Sequence, residues 1–170
     1  LSQMRDVGLL ATELGPDGFL PDEPQTKAKA LAARGLRAAG GFVPVVLHDP
    51  GHNPLPEIEL ALKGLTAAGA GTLVLAAVTG ADGYDVSPVL DDAGWQVLLA
   101  NLDQIARVAG RSSLTAPLHP HVGTMVESGD EVHRVLAGSS VGLCLDTGHL
   151  LLGGGDTVAL AAQRAGRVRE

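Results

Sequence analysis

The sequence predicts an α/β fold, a partial (β/α)8 TIM barrel with parallel strands inside and helices outside. Three observations carry this expectation. Short apolar runs alternate with helix-period segments across short connections, the pattern of a parallel sheet. Residues 72–78, TLVLAAV, are apolar without a break, as in a strand buried on both faces. Polar residues with chemical capacity (Glu13, His48, His119 with His121, and Asp146) stand at the C-terminal ends of four different strands. An open doubly wound sheet gathers its site at one switch point, whereas a barrel gathers residues from many strand ends into a ring. The first strand also lacks Gly-x-Gly-x-x-Gly, which weakens a dinucleotide-binding reading.

Each element has its own justification. Residues 7–14 form an apolar run closed by Gly15-Pro16, a strand with a turn behind it. Residues 22–34 place apolar and Ala positions at helical spacing. Residues 42–47 are β-branched and apolar and end at His48-Asp49-Pro50-Gly51. Residues 56–68 read as a helix with Pro56 in its first turn and Ile58, Leu62 and Leu65 recurring on one face. The strand at 72–78 leads into a longer loop over 79–91. Residues 95–109 are the clearest helix, with Val97, Leu98, Leu102, Ile105 and Val108 on one side and Trp95 in the core. A strand over 114–122, a helix over 130–136, a strand over 141–146 and a helix over 156–164 follow, the last with Asp156 as N-cap.

Five strands can be counted, whereas a barrel needs eight and typically about 250 residues. The 170 residues, read as a single domain over 1–170, are therefore expected to be a fragment, roughly strands two to six. Leu at position 1 and the abrupt end after Arg167-Val168-Arg169-Glu170 agree with that expectation. Hydrophobic residues are 45% and charged residues 18%, which excludes disorder for most of the chain. A net charge of −7 and 2% aromatics argue against nucleic-acid partners. No apolar run approaches the ~18 residues of a membrane span. The single cysteine, Cys144, allows no internal disulfide and reads as strand packing. With a polar start unlike a signal peptide, a reducing cytoplasm is the simplest compartment.

Two local patterns point to chemistry. In Leu145-Asp146-Thr147-Gly148-His149, Gly142, Cys144 and Asp146 share one strand face, so a carboxylate reaches the mouth and His149 can fold back toward it. The blander alternative has Asp146 capping a turn and His149 solvated. In His119-Pro120-His121 the two imidazoles share a face; together with a carboxylate they suit a divalent first-row ion such as Mn2+, Co2+ or Zn2+. Either imidazole alone could instead be a buried, hydrogen-bonded residue. Glu127 is a loop-end carboxylate or a helix-start one. Glu13 is a pocket residue or a salt-bridge partner, and His48 reads as pocket-lining. His52 and His133 read as solvated. Gly153-Gly154-Gly155 reads as a tight turn rather than a phosphate cradle, since no Gly-Lys-Ser/Thr accompanies it.

Together, Thr12-Glu13-Leu14-Gly15-Pro16-Asp17-Gly18-Phe19-Leu20-Pro21, His119-Pro120-His121-Val122-Gly123-Thr124 and Leu145-Asp146-Thr147-Gly148-His149 resemble the xylose-isomerase-like TIM-barrel superfamily. Within it they resemble the inosose dehydratase-like and sugar phosphate isomerase/epimerase branch. The resemblance implies a divalent metal (Mn2+, Co2+, Mg2+ or Zn2+) with Asp146 and His119 as ligands, His119 standing where the family usually has Glu. It implies His121 as a pocket residue and His149 as a substrate contact; with the pocket-lining reading of His48 these are the candidate substrate contacts, and His149, Glu13 and Glu127 are the candidate catalytic groups. The family's remaining ligands, a His and a Glu, follow strands seven and eight, so about half a metal site is encoded here. The implied reaction removes a proton α to a metal-polarised carbonyl of a polyol ketone or sugar, leading to dehydration, isomerisation or epimerisation. A sugar or inositol-derived molecule is the implied partner, and a homo-oligomer is compatible with it. Two alternatives stay open: the superfamily's AP-endonuclease-like phosphodiesterase branch, and a non-catalytic barrel segment.

Overall fold

A computed structural model describes residues 1–16, 18–81, 83 and 88–169. Part of the expected loop over 79–91, residues 82 and 84–87, lies outside the described residues, as does Asp17 of the first motif. The elements run α1 (Ser2–Asp6), β1 (Ala11–Thr12), α2 (Pro24–Ala32), β2 (Arg37–Ala38), β3 (Gly40–Val46), α3 (Leu55–Ala68), β4 (Thr72–Val78), α4 (Asp92–Arg111), α5 (Gly129–Gly138), α6 (Thr147–Leu152), α7 (Thr157–Gln163) and a 3-10 turn at Ala165–Arg167.

Every described strand pairing is parallel. β1 pairs with β2, and β3 pairs with β4 along its whole length from Gly40↔Thr72 to Val46↔Val78. Only Ala39 separates β2 from β3, and its N–H bonds the Thr12 carbonyl, so 37–46 works as one bent strand. The sheet continues through single parallel bridges: Leu75 to Leu118, Leu118 to Leu143, and Leu143 to Val168. The architecture is therefore a partial barrel without closure.

The sequence reading differs from the structure in four places. The strand expected over 7–14 is reduced to Ala11–Thr12, and a short helix, α1, precedes it. The strands expected over 114–122 and 141–146 pair only at isolated positions. Pro117 has no N–H to contribute, so the ladder beside β4 is interrupted between the Leu73-to-Thr115 and Leu75-to-Pro117 hydrogen bonds. Helix α6 was not expected. A sixth strand position at Val168 extends the five that were counted; there Leu143 donates to the Arg167 carbonyl and accepts from Arg169.

The two faces of the sheet divide by parity. Leu73, Leu75, Leu118 and Leu143 join one core with Ile58, Leu62 and Leu65 of α3, Leu98, Leu102 and Ile105 of α4, and Val132, Val135 and Leu136 of α5. These helix residues recur at three- and four-residue steps, which sets an apolar stripe against the sheet. Burying each such side chain fully contributes roughly 1.5–3 kcal/mol. The opposite parity, Phe42, Pro44 and Val46 on β3 with Val74 and Ala76 on β4, faces away from the helices toward the barrel interior. Phe42 remains 43% exposed there.

The helix starts are capped as their sequences suggest. Asp91 accepts from Gly94 N at 2.8 Å, and Asp156 accepts from Ala159 N at 2.9 Å. Ser128 and Glu131 form a reciprocal capping box on α5. Trp95 is buried, with the Arg134 guanidinium 4.7 Å from its ring centre. No helix among the described residues is long and apolar enough to cross a membrane.

Candidate metal centre

The inward parity of the sheet delivers the site. Leu118 points to the helices, so the next residue, His119, points inward and meets Phe42 edge-on at 5.8 Å between ring centroids. His121, two residues on, comes to the same side, its ring centroid 5.6 Å from that of His119. The neighbouring strand end turns at Asp146 into α6, which returns His149 to the same place. The His149 ring centroid lies 3.9 Å from that of His121 and 5.5 Å from that of His119. One ligand atom from each of His119, His121 and His149 lies within 4.8 Å of the others.

The backbone holds these rings. The Val122 peptide serves two of them: its carbonyl accepts from His121 Nδ1 at 2.7 Å, and its N–H points at His149 Nδ1 at 3.5 Å. The first bond places the His121 proton on Nδ1 and leaves the lone pair on Nε2. The loop carrying Val122 is fixed in turn, since Gly123 N donates to Glu127 Oε2 at 2.8 Å and the Thr124 hydroxyl donates to the His121 carbonyl at 2.8 Å. Glu127 N and Ser128 N both donate to Glu131 Oε2. The Glu127 carboxylate thus closes the loop through Gly123, and Ser128 rather than Glu127 caps α5.

Asp146 does two things at once. Its Oδ1 accepts from His149 N at 2.8 Å and so caps α6. That backbone bond holds its pKa below the usual carboxylate value; burial opposes the shift, and the charge of His149 adds to it. Capping and placement at the strand mouth, which looked like alternatives in the sequence, coexist in the structure. His119 titrates below the ordinary imidazole value, chiefly because burial disfavours the cation, while the nearby Asp146 charge pulls the other way. Its buried Nδ1 has no hydrogen-bond partner among the described residues. Leaving such a group unsatisfied costs about 1–3 kcal/mol, which a bound ligand would remove.

The remaining candidates are more dispersed. His48 lines a cleft of about 530 Å³ with Val46, Asp49, Pro50, His52, Thr79 and Gly80, and its Nδ1 is likewise buried without a partner among the described residues. Glu13 follows β1 directly and is exposed. His133 is exposed on α5, and His52 pairs with Glu57 at 3.1 Å. Sequence reasoning missed Phe42 as the wall of the imidazole cluster and Val122 as its anchor. Phe42 was detectable, because it shares strand parity with His48.

The donor set suits a divalent ion. Three converging imidazole nitrogens, one of them buried and unsatisfied, stand beside an ionised carboxylate, a combination that binds borderline first-row ions. Residues 1–169 match the family described as Xylose isomerase-like TIM barrel. The chain is 30% identical to the inosose dehydratase of Bacillus velezensis over 179 aligned positions, covering 99% of this chain and 59% of that protein. It thus spans about three-fifths of that relative's length. Among solved structures, the IolI protein with a bound zinc atom superposes with a TM-score of 0.77 at 15% identity, over 97% of this chain and 63% of that one. L-ribulose 3-epimerase superposes with a TM-score of 0.74 at 18% identity, over 96% and 59%.

Proposed function

The chain belongs to the xylose isomerase-like TIM barrel family, and from that premise we propose that it carries about half of the metal site of an enzyme that dehydrates, isomerises or epimerises a polyol ketone or sugar. One observation carries the reading: His119, His121 and His149 converge at the C-terminal ends of two adjacent parallel strands, where the Asp146 charge acts on His119. That is the face on which barrels of this kind do their chemistry. The inosose dehydratase relative supports a cyclic polyol ketone as substrate, and the epimerase neighbour has the same fold.

His119 and Asp146 are the residues that would hold a divalent ion. When bound, such an ion would act as a Lewis acid toward the substrate carbonyl. The other roles belong to the chain itself. Asp146 stays ionised and supplies negative charge at the mouth, because the His149 N–H stabilises its carboxylate. His149 is the group we assign to substrate contact and proton transfer at the carbon α to the carbonyl, since its ring stands among the other imidazoles on a short, capped helix. Glu13 and Glu127 are the carboxylate candidates for the second proton transfer; Glu127 uses one oxygen to accept from Gly123. His121 and His48 would contact hydroxyls, and Phe42 would shield one side of the ring of donors.

The test uses the full-length protein that contains this chain, assayed with an inosose and with ketose epimerisation substrates. His149→Ala should abolish turnover, Asp146→Ala should remove metal measured by elemental analysis, and His133→Ala should change neither. The 170-residue chain alone should show no appreciable turnover. Full metal stoichiometry in the Asp146 variant, or no activity on any polyol ketone or ketose, would overturn the reading.

A further inference from the structure

We propose that the site selects an uncharged polyhydroxylated carbonyl compound and rejects the phosphorylated or carboxylated form of the same skeleton. The inference rests on the reading of the site as one for a polyol ketone or sugar, and adds the charge of the substrate. Two features of the strand mouths carry it: where the cations of the sequence stand, and how the helix N-termini are already used.

The sequence contains 12 Lys and Arg. None stands in a connection that leaves the C-terminal end of a strand. Segments 13–23, 47–54, 79–91 and 119–128, and the whole stretch 144–163 with α6 and α7, hold neither residue type. The cations lie instead on helices, in the returns to the next strand, or at strand starts. The outgoing connections carry Glu13, Asp22, Glu23, Asp49, Glu127 and Asp146. Two helix cations are matched by carboxylates: Arg134 pairs with Asp92 at 2.7 Å, and Lys27 shares a cleft with Asp22 and Glu57. A rim of one sign opposes the approach of an anion and leaves a neutral molecule unaffected.

Backbone could still hold an anion, since a helix N-terminus offers N–H groups at the positive end of its dipole. Here the chain's own side chains occupy those positions. Glu23 accepts from Gln25 N and Thr26 N on α2. Asp91, Ser128, Asp146 and Asp156 accept from backbone N–H groups in the first turns of α4, α5, α6 and α7. Asn53 Oδ1 accepts from Leu55 N at the start of α3. The N–H groups of Gly153, Gly154 and Gly155 go to the carbonyls of His149, Leu151 and Leu150.

Hydroxyl groups suit what remains. In the cleft beside His48, the Asp49 carboxylate can accept from a hydroxyl, and the Thr79 hydroxyl, which accepts from Ala81 N, keeps its proton to donate. A polyol offers both a donor and an acceptor at each hydroxyl. A phosphate ester brings three acceptor oxygens and a charge of about −1.5 to −2 to a rim that is already negative.

The test uses the full-length protein that contains this chain, assayed with an inosose, a ketose and the monophosphate ester of each. Like charges brought together cost several kcal/mol, so kcat/KM for each ester should be lower than for its neutral parent by at least about 100-fold. Raising KCl from about 20 to about 300 mM should improve the esters and leave the neutral substrates unchanged, because salt screens repulsion between exposed charges. Asp49→Lys should raise kcat/KM for the esters about tenfold relative to the neutral parents. The salt dependence needs no variant and decides the matter if Asp49→Lys misfolds. Esters used as well as or better than their parents, or ester rates that fall as salt rises, would overturn the inference and leave the proposed reaction standing. Calorimetric titration with myo-inositol and its monophosphate reads the same preference without turnover. Binding of myo-inositol but not of its monophosphate, with none of the four substrates turned over, would overturn the reaction alone. Binding of the monophosphate in preference to myo-inositol, or of neither, would overturn the inference.

Discussion

Asp103 on α4 accepts two hydrogen bonds from one residue, Ser140, through its hydroxyl at 2.6 Å and its backbone N–H at 2.7 Å. Together they tie the segment leading to the Leu143 strand position onto α4. Burial works to raise the Asp103 pKa, but the two Ser140 bonds, helped by Arg107 and Arg167, outweigh it and hold the carboxyl below its ordinary 3.8. The unfolded chain then binds the proton more readily than the folded one. The stabilisation is whole above the ordinary value and is lost as pH falls through the lower, folded one. Asp103→Ala should therefore cost roughly 1–2 kcal/mol at neutral pH. The gap from the native chain should narrow as the pH drops below about 3.8. Urea denaturation at pH 7 and at pH 3 reads both effects.

At the scale of elements, the glycine run after α6 is a helix stop that also packs against a neighbouring loop. Gly154 has a φ of +75°, and Gly155 N donates to the Leu150 carbonyl at 2.7 Å, which closes the helix in the manner of a glycine C-cap. Gly153 sits so close to the Glu127 carbonyl that a Cβ there would overlap it. The run thus packs α6 directly against the loop that ends at Glu127. Gly153→Ala should destabilise the chain by about 1–3 kcal/mol, the usual cost of overpacking. Gly166→Ala, where a Cβ meets nothing within 4 Å, should be close to neutral. Paired chemical denaturation curves distinguish them. Arg167 plays a comparable joining role, donating to the carbonyls of Leu136, Ser139 and Val141 and so holding the end of α5 to the last strand position.

For the molecule as a whole, the unclosed sheet dominates solution behaviour. Among the described residues β1 pairs only with β2, and Val168 pairs only with Leu143, so both ends of the parallel sheet keep unpaired backbone groups. Phe42 on the interior side, and Leu9 and Leu10 just before β1, remain exposed. Open edges of this kind recruit further strands. The 170-residue chain should therefore be oligomeric or poorly soluble, as size-exclusion chromatography with light scattering would show. A monodisperse monomer with a cooperative thermal transition would contradict this.

The parallel barrel architecture was legible because apolar runs and helical spacings alternate. The inward facing of His119 was legible too, because strand parity leaves no other side once Leu118 joins the core. The helix cap at Asp156 was legible because it depends on local bonding, whereas the caps at Asp91 and Ser128 came from the structure. Strand lengths were not legible, because Pro117 interrupts a ladder whose extent depends on the neighbouring backbone. Helix α6 escaped notice because it is one capped turn and a half, too short for periodicity to register. Fold class and the residue types at the strand mouths could be read directly from the chain, since both follow from pattern and parity along one strand at a time. That His149 joins His119 and His121 came from the packed chain alone, because the distance between two strand ends depends on how neighbouring strands pair and on the bond from His149 N to Asp146 that turns α6 back over the site.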